Sequence, residues 1–143
     1  MSTGTFQVPP PSPAQLAGRV EAVVVDSGGN PPDVIKAGDA WAVEVSWELT
    51  GTLVPLIAGE WNLRLTINEV AGPNDSSLTA GPIPVTSANG AYTARIPVPA
   101  GTVRALPGGN PYQVIVTLGY TTAAGTPGGM GGYVDCGVVL IIA

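Results

Sequence analysis

The stretch "AWAVEVSWELT", Ala40–Thr50, decides the fold. Its side chains alternate with a period of two. Trp41, Val43, Val45, Trp47 and Leu49 share one face, and Ala42, Glu44, Ser46, Glu48 and Thr50 share the other. Successive side chains of a β-strand point to opposite sides, so this pattern predicts a strand with one buried and one wetted side.

The same pattern recurs in both directions along the chain. In "GEWNLRLTINEV", Gly59–Val70, Trp61, Leu63, Leu65 and Ile67 face one way, and Asn62, Arg64, Thr66 and Asn68 the other. A break at "AGPNDSS" precedes "GPIPVTS", Gly81–Ser87, whose Pro82 and Pro84 have no N–H to give a ladder and therefore belong at a sheet edge. "AYTARIPVP" (91–99) and "NPYQVIVTLGYTT" (110–122) alternate again. Upstream, "VEAVVVD" (20–26) is a β-branched run, and the chain closes on "YVDCGVVLIIA" (133–143). The only helix-like window, "PSPAQLAGRVEA", carries prolines and a glycine that limit it to a turn or two. No period of 20–50 residues repeats, which argues against a solenoid or propeller. The expectation is an all-β domain, a seven-stranded antiparallel β-sandwich over residues 19–143. Residues 1–18 are expected to form an extended Pro-rich arm, since Pro9, Pro10, Pro11 and Pro13 favour polyproline-like geometry. Such an arm is either a linker or a segment that docks on a neighbouring subunit.

Composition narrows the function. The 143 residues are 45% hydrophobic and only 10% charged, against about 25% charged in ordinary soluble domains. A surface partly covered by other subunits would explain that deficit, and so would an exterior of Thr, Ser, Asn and Gly. The net charge is −5, and the five basic residues, Arg19, Lys36, Arg64, Arg95 and Arg104, are scattered. Phosphate backbones and anionic lipids need clustered cations, so neither nucleic acid nor a membrane surface is an expected partner. No apolar run is long enough to span a bilayer. The first residues lack the basic and apolar regions of a secretory signal, and the single cysteine cannot form an internal disulfide. Both features favour the cytoplasm, although leaderless export or a removed signal would fit the same sequence.

The segments "VEVSWELTG" and "LPGGNPYQVIVTLGY" resemble the second strand and the E–F corner of fibronectin type III and related immunoglobulin-like domains. The resemblance implies an Ig-like sandwich with Trp47 as core tryptophan, Leu106 as corner leucine and Tyr112 as corner tyrosine. It also implies protein binding and assembly rather than catalysis. The chain departs from antibody-type domains in lacking the inter-sheet disulfide, with Cys136 on the final strand.

The residues themselves point the same way. There is no histidine, which removes Ser-His-Asp triads, Cys-His dyads and most zinc sites. Cys136, beside Asp135 in an apolar strand, reads as a small buried hydrophobe. Glu44 and Glu48 lie about 13 Å apart by strand rise, too far for a glycosidase pair, and read as solvated carboxylates. "DSGGNPPD" offers Asp26, Ser27, Asn30 and Asp33 as oxygen ligands, with Asp39 nearby. It lacks EF-hand spacing, and the same residues favour turns. No catalytic residue, metal or cofactor is therefore expected.

Two kinds of recognition remain. Leu53, Val54, Leu56 and Ile57 are four large aliphatics in a predicted loop, which either caps the core or docks a partner. "GTPGGMGG", Gly125–Gly132, lacks the lysine and following helix of a phosphate loop, so it reads as the turn between the last two strands with Met130 at its tip, touching a partner or tucked back. The final "VVLIIA" is apolar on both faces, as in a strand covered on both sides. These features predict a non-catalytic structural or protein-interaction module that self-associates into a homo-oligomer or larger assembly. The competing expectation is a carbohydrate- or small-ligand-binding β-sandwich with Trp41 or Trp61 as the stacking ring.

Overall fold

A computed structural model describes residues 2–8, 15–86 and 90–143, so Pro9, Pro10, Pro11 and Pro13 of the predicted arm lie outside the described residues. Those residues hold ten strands, one 3-10 turn and no α-helix. The strands are β1 (Ser2–Thr3), β2 (Thr5–Gln7), β3 (Ala17–Val25), β4 (Val34–Lys36), β5 (Trp41–Thr50), β6 (Gly59–Glu69), β7 (Asp75–Pro84), β8 (Ala91–Val98), β9 (Asn110–Thr122) and β10 (Pro127–Ile142). One sheet has four strands in the order β1-β3-β5-β8. The other has six, β2-β10-β9-β6-β7, with β4 also paired to β10. All pairings are antiparallel except β4 with β10. No described helix is long and apolar enough to cross a membrane.

The alternating sequences fold as their period dictates. Trp41, Val43, Val45, Trp47 and Leu49 of β5 are buried, as are Trp61, Leu63, Leu65 and Ile67 of β6. Tyr112, Val114, Val116 and Leu118 of β9 join them. The inner faces meet at an aromatic cluster. Trp47 from the first sheet and Trp61 from the second pack edge to face at 6.0 Å. Tyr92 stacks on Trp47 at 5.5 Å and meets Trp61 at 5.7 Å. Aromatic pairs at such distances add to the burial term about 0.5–1.5 kcal/mol each.

At the end of the domain where β9 begins, polar groups are matched in pairs. Asn110, buried in β9, accepts the Leu106 N–H at 2.5 Å and donates to Glu69 at 2.8 Å. Glu69 in turn accepts the Asn74 N–H at 3.1 Å. The Tyr112 hydroxyl donates to the Arg104 carbonyl at 2.6 Å, and its burial raises its pKa. Leu106, the corner leucine of the resemblance, has a half-exposed side chain, and Val103 is buried in that region.

The strand count differs from the expected seven at positions with weak sequence signals. β1, β2 and β4 have two or three residues each, too few for an alternation to register. The edge strand β7 begins at Asp75, inside the predicted "AGPNDSS" break. There Ser77 and Thr79 face solvent while Leu78 and Ala80 pack on the core, so turn-forming residues serve as the wetted side of an edge. Pro82 and Pro84 do sit on that edge.

The predicted arm is partly folded onto the domain. β1 pairs with β3 in one sheet and β2 with β10 in the other, so residues 2–7 contact both layers. Phe6 packs against the core and meets Trp61 at 6.2 Å. Glycines make this approach possible. A β-carbon at Gly18 would strike the Phe6 ring, and one at Gly132 would strike the Thr5 carbonyl.

Candidate functional site: the outer face of the last strand

The glycine stretch does not form the expected loop. β10 starts at Pro127, and the reversal after β9 is a short turn closed by Gly125 N–H to Thr122 C=O at 2.9 Å. Gly128, Gly131 and Gly132 belong to the strand because their neighbours leave no room for a side chain. Gly128 lies under the Tyr120 ring, Gly131 on the Leu118 carbonyl and Gly132 on the Thr5 carbonyl. Met130 points inward and is 6% exposed, so it serves the core rather than projecting as a handle.

Further along β10 the strand changes phase. The pairing with β9 slips between Asp135 and Val138, Gly137 takes a φ of 86°, and its N–H donates to Asp135 Oδ1 at 2.9 Å. This is a β-bulge, and one inserted residue reverses which side chains face inward. Val139 and Ile141 are consequently buried, while Val138, Leu140 and Ile142 face outward. Val34 of β4 stands beside Leu140. Val138 is 57% exposed, Val34 49% and Tyr133, farther up the strand, 53%. The half-buried Ile115 of β9 pairs opposite Asp135 between them. Leu140 and Ile142 are partly covered, close to Gly109, and Asp135 on the same face accepts a hydrogen bond from Gln113 at 2.9 Å.

The stripe runs into a shallow groove of about 660 Å³ across β2, β10 and β9. Its floor is opened by Gly119 and Gly131, paired side by side, and its rim includes Thr5, Gln7, Thr117 and Tyr133. None of the lining residues is charged.

The residues singled out from sequence are distributed elsewhere. Trp61 is fully buried and Trp41 nearly so, and their strands place both rings in the core, where no ligand could stack. Val54 opens a 3-10 turn (Val54–Leu56) and is buried, with Leu53 and Ile57 packed partly against the core. Most of that loop caps the domain. Leu56 alone projects, at 76% exposed. Sequence reasoning held Val138 within the run "VVLIIA" but missed Val34, Ile115 and Tyr133; a further signal was Gly137, since an isolated glycine in a strand marks a bulge.

The polar candidates are engaged in structure. Asp26 Oδ1 accepts the N–H groups of Gly28 and Asn30, both at 2.9 Å, which is the turn-forming role. Among the described residues no acidic or thiol cluster could hold a metal. Glu48 pairs with Arg19 at 3.1 Å and Glu44 with Arg95 at 3.7 Å, so each carboxylate faces a cation rather than another carboxylate.

Cys136 is partly buried on the inner side of the bulge. Burial, and then the Asp135 carboxylate, push its thiol up to about 11. We expect negligible alkylation near neutral pH, rising steeply only in alkali. A raised acid pKa also stabilises the fold: the contribution is complete below the unfolded value of 9.0 and is lost as pH climbs toward about 11. Cys136→Ala should flatten that part of the alkaline decline in urea-unfolding free energy. Identical slopes in both proteins would contradict the assignment.

A search of protein families finds no matching profile. No characterised protein matches either. Among solved structures, the chain is similar to a β-glucosidase from Listeria innocua in complex with glucose, at a TM-score of 0.42 and 12% identity. That alignment covers 88% of this chain and 16% of the glucosidase.

Proposed function

We propose that this chain is a non-catalytic immunoglobulin-like module that associates with a second copy of itself through the outer face of β10. The carrying observation is the exposed pair Val138 and Val34 with the partly covered Leu140 and Ile142 between them; past the hydrogen-bonded Gln113–Asp135 pair on the same face lie Ile115, Tyr133 and the uncharged groove. Apolar strand faces left to water favour association, because each covered Å² contributes about 25 cal/mol. The groove itself carries no charge, so covering it brings no like-charged pair together, although the net charge of −5 on each copy opposes approach at long range.

Two features support the immunoglobulin-like assignment. The sheets β1-β3-β5-β8 and β2-β10-β9-β6-β7 enclose one core between them, the two-layer arrangement of a β-sandwich. The Tyr112 hydroxyl reaches back eight residues to the Arg104 carbonyl near the start of β9, as in a tyrosine corner. Domains of this kind act through surfaces, and the stripe is the surface this one offers.

Light scattering after size exclusion tests the proposal. The unaltered chain should show a concentration-dependent mass above the monomer, and Val138→Lys should return it to monomer while leaving the β-sheet circular dichroism intact. Monomer at every concentration, or an oligomer indifferent to Val138→Lys, would overturn the assignment of this face.

A further inference from the structure

We propose that the groove across β2, β10 and β9 binds a neutral saccharide, with Tyr133 as the ring on which a sugar lies. The site stands apart from Val138 and Val34, since the Gln113–Asp135 pair lies between them on the same face.

The glycine at the centre of the groove is the decisive feature. Gly119 lies inside β9, whose pairing with β6 runs in unbroken register from Thr122 opposite Gly59 to Tyr112 opposite Glu69. Its φ is not positive, and a β-carbon added there would meet nothing within 4 Å. Gly128, Gly131 and Gly132 are each required by a ring or carbonyl of the same chain, but Gly119 is not. Glycine weakens a strand interior, and where neither a bulge nor a nearby backbone demands it, the reason left is close approach of a ligand. Any side chain would fit at this position, and it would fill the groove.

The surroundings of that opening define what enters it. Gln7, Gly131, Gly119 and Asn62 form one row across four strands, and Thr5, Tyr133, Thr117 and Arg64 form the next. Opposed residues share a face, so bare glycine backbone is flanked by two amide side chains and bordered by an aromatic ring between two hydroxyls. Tyr133, Thr5, Gln7 and Thr117 are all exposed. The nearest charges are held aside: Arg64 Nε donates to Ser77 at 2.8 Å, and Asp135 accepts from Gln113 at 2.9 Å.

An anion would therefore find no cation in the lining, and an amine no carboxylate. An added peptide strand would find no free backbone on β10 or β9, which are paired on both sides here. A wholly apolar ligand would strip water from the amides and hydroxyls of the rim without replacing it. A neutral sugar meets each demand, with its C–H face on the tyrosine ring and its hydroxyls on the amide and threonine groups. The volume of about 660 Å³ suits such a ligand. Three strands abreast span about 10 Å, room for two sugar units.

A sugar and a second copy would exclude each other from the groove, so the test uses Val138→Lys, whose added charge opposes association through β10. Its amides are followed by NMR during titration with cellotriose, maltotriose, xylotriose and tri-N-acetylchitotriose, with trigalacturonate as acidic control. At least one neutral trisaccharide should shift Thr117, Gly119, Gly131 and Tyr133 saturably and leave β3, β5 and β8 unmoved. Tyr133→Ala and Gly119→Leu should each weaken that binding roughly tenfold or more. Gly119→Leu should do so without lowering the melting temperature, because it replaces a strand glycine in open space. No saturable shift with any of the four at millimolar concentration would overturn the proposal, as would a Gly119→Leu protein that binds like its parent. Tighter binding of trigalacturonate than of every neutral sugar would count against it equally. An oligomer abolished by Val138→Lys, with no sugar bound, leaves association through β10 standing and removes this site. Sugar binding by a chain that is monomeric at every concentration does the reverse.

Discussion

Trp61→Ala is expected to lower the unfolding free energy by about 3–5 kcal/mol, the range for truncating a large aromatic in a packed core. Trp61 is fully buried and in ring contact with Phe6, Trp47, Tyr92 and Tyr120, so no other side chain can fill the space it would leave. A domain of this size has a total stability of about 5–15 kcal/mol, so the variant should be near its limit at room temperature. Trp61→Phe should cost markedly less, about 1–3 kcal/mol. Its indole N–H has no hydrogen-bond acceptor among the described residues, and removing an unpaired buried donor recovers part of the lost packing. Urea unfolding of both variants checks the pair. A Phe variant as unstable as the Ala variant would show that the indole N–H is satisfied.

Gly132→Val should release the N-terminal strand. Its β-carbon would occupy the space of the Thr5 carbonyl, a backbone atom that can move only if β2 leaves the edge of β10. Overpacking of this kind costs about 1–3 kcal/mol. Loss of Phe6 from its contact with Trp61 adds to it. Hydrogen exchange should show the amides of residues 5–7 losing protection in the variant while those of β5 and β6 keep theirs. Wild-type protection at Phe6 would contradict the cradle.

The long alternating strands were legible because period-two hydrophobicity and burial are one fact seen twice. β5, β6 and β9 carry five, four and five buried residues in register with their alternation. Strands formed through a neighbour were not legible. β1, β2 and β4 are too short to show a period, and they exist because β3 and β10 present unpaired edges to them. Glycines misled for a related reason. In "GTPGGMGG" they suggested a mobile turn, yet at Gly128, Gly131 and Gly132 glycine is required by close backbone and ring contacts from residues far away in sequence.

The candidate face was half legible. "VVLIIA" announced a strand apolar on both sides, but the bulge at Gly137 determines which residues face out, and that needs the pairing with β9. The tryptophans show the converse. Trp41 and Trp61 stood at strand starts, where exposure and burial were both open from sequence, and the opposing sheet resolves them into the core. In the Leu53–Ile57 loop, chain reversal over the end of the domain uses three of the four aliphatics and leaves only Leu56 in water.

The most direct measurement is methyl NMR with a soluble paramagnetic agent over a range of protein concentrations. The methyls of Val139 and Ile141, facing inward, should be shielded at every concentration. Those of Val138, Leu140 and Val34 should be bleached in dilute protein and become shielded as concentration rises, while the exposed Leu56 stays bleached throughout. Equal bleaching of the outer methyls at all concentrations would contradict association through this face.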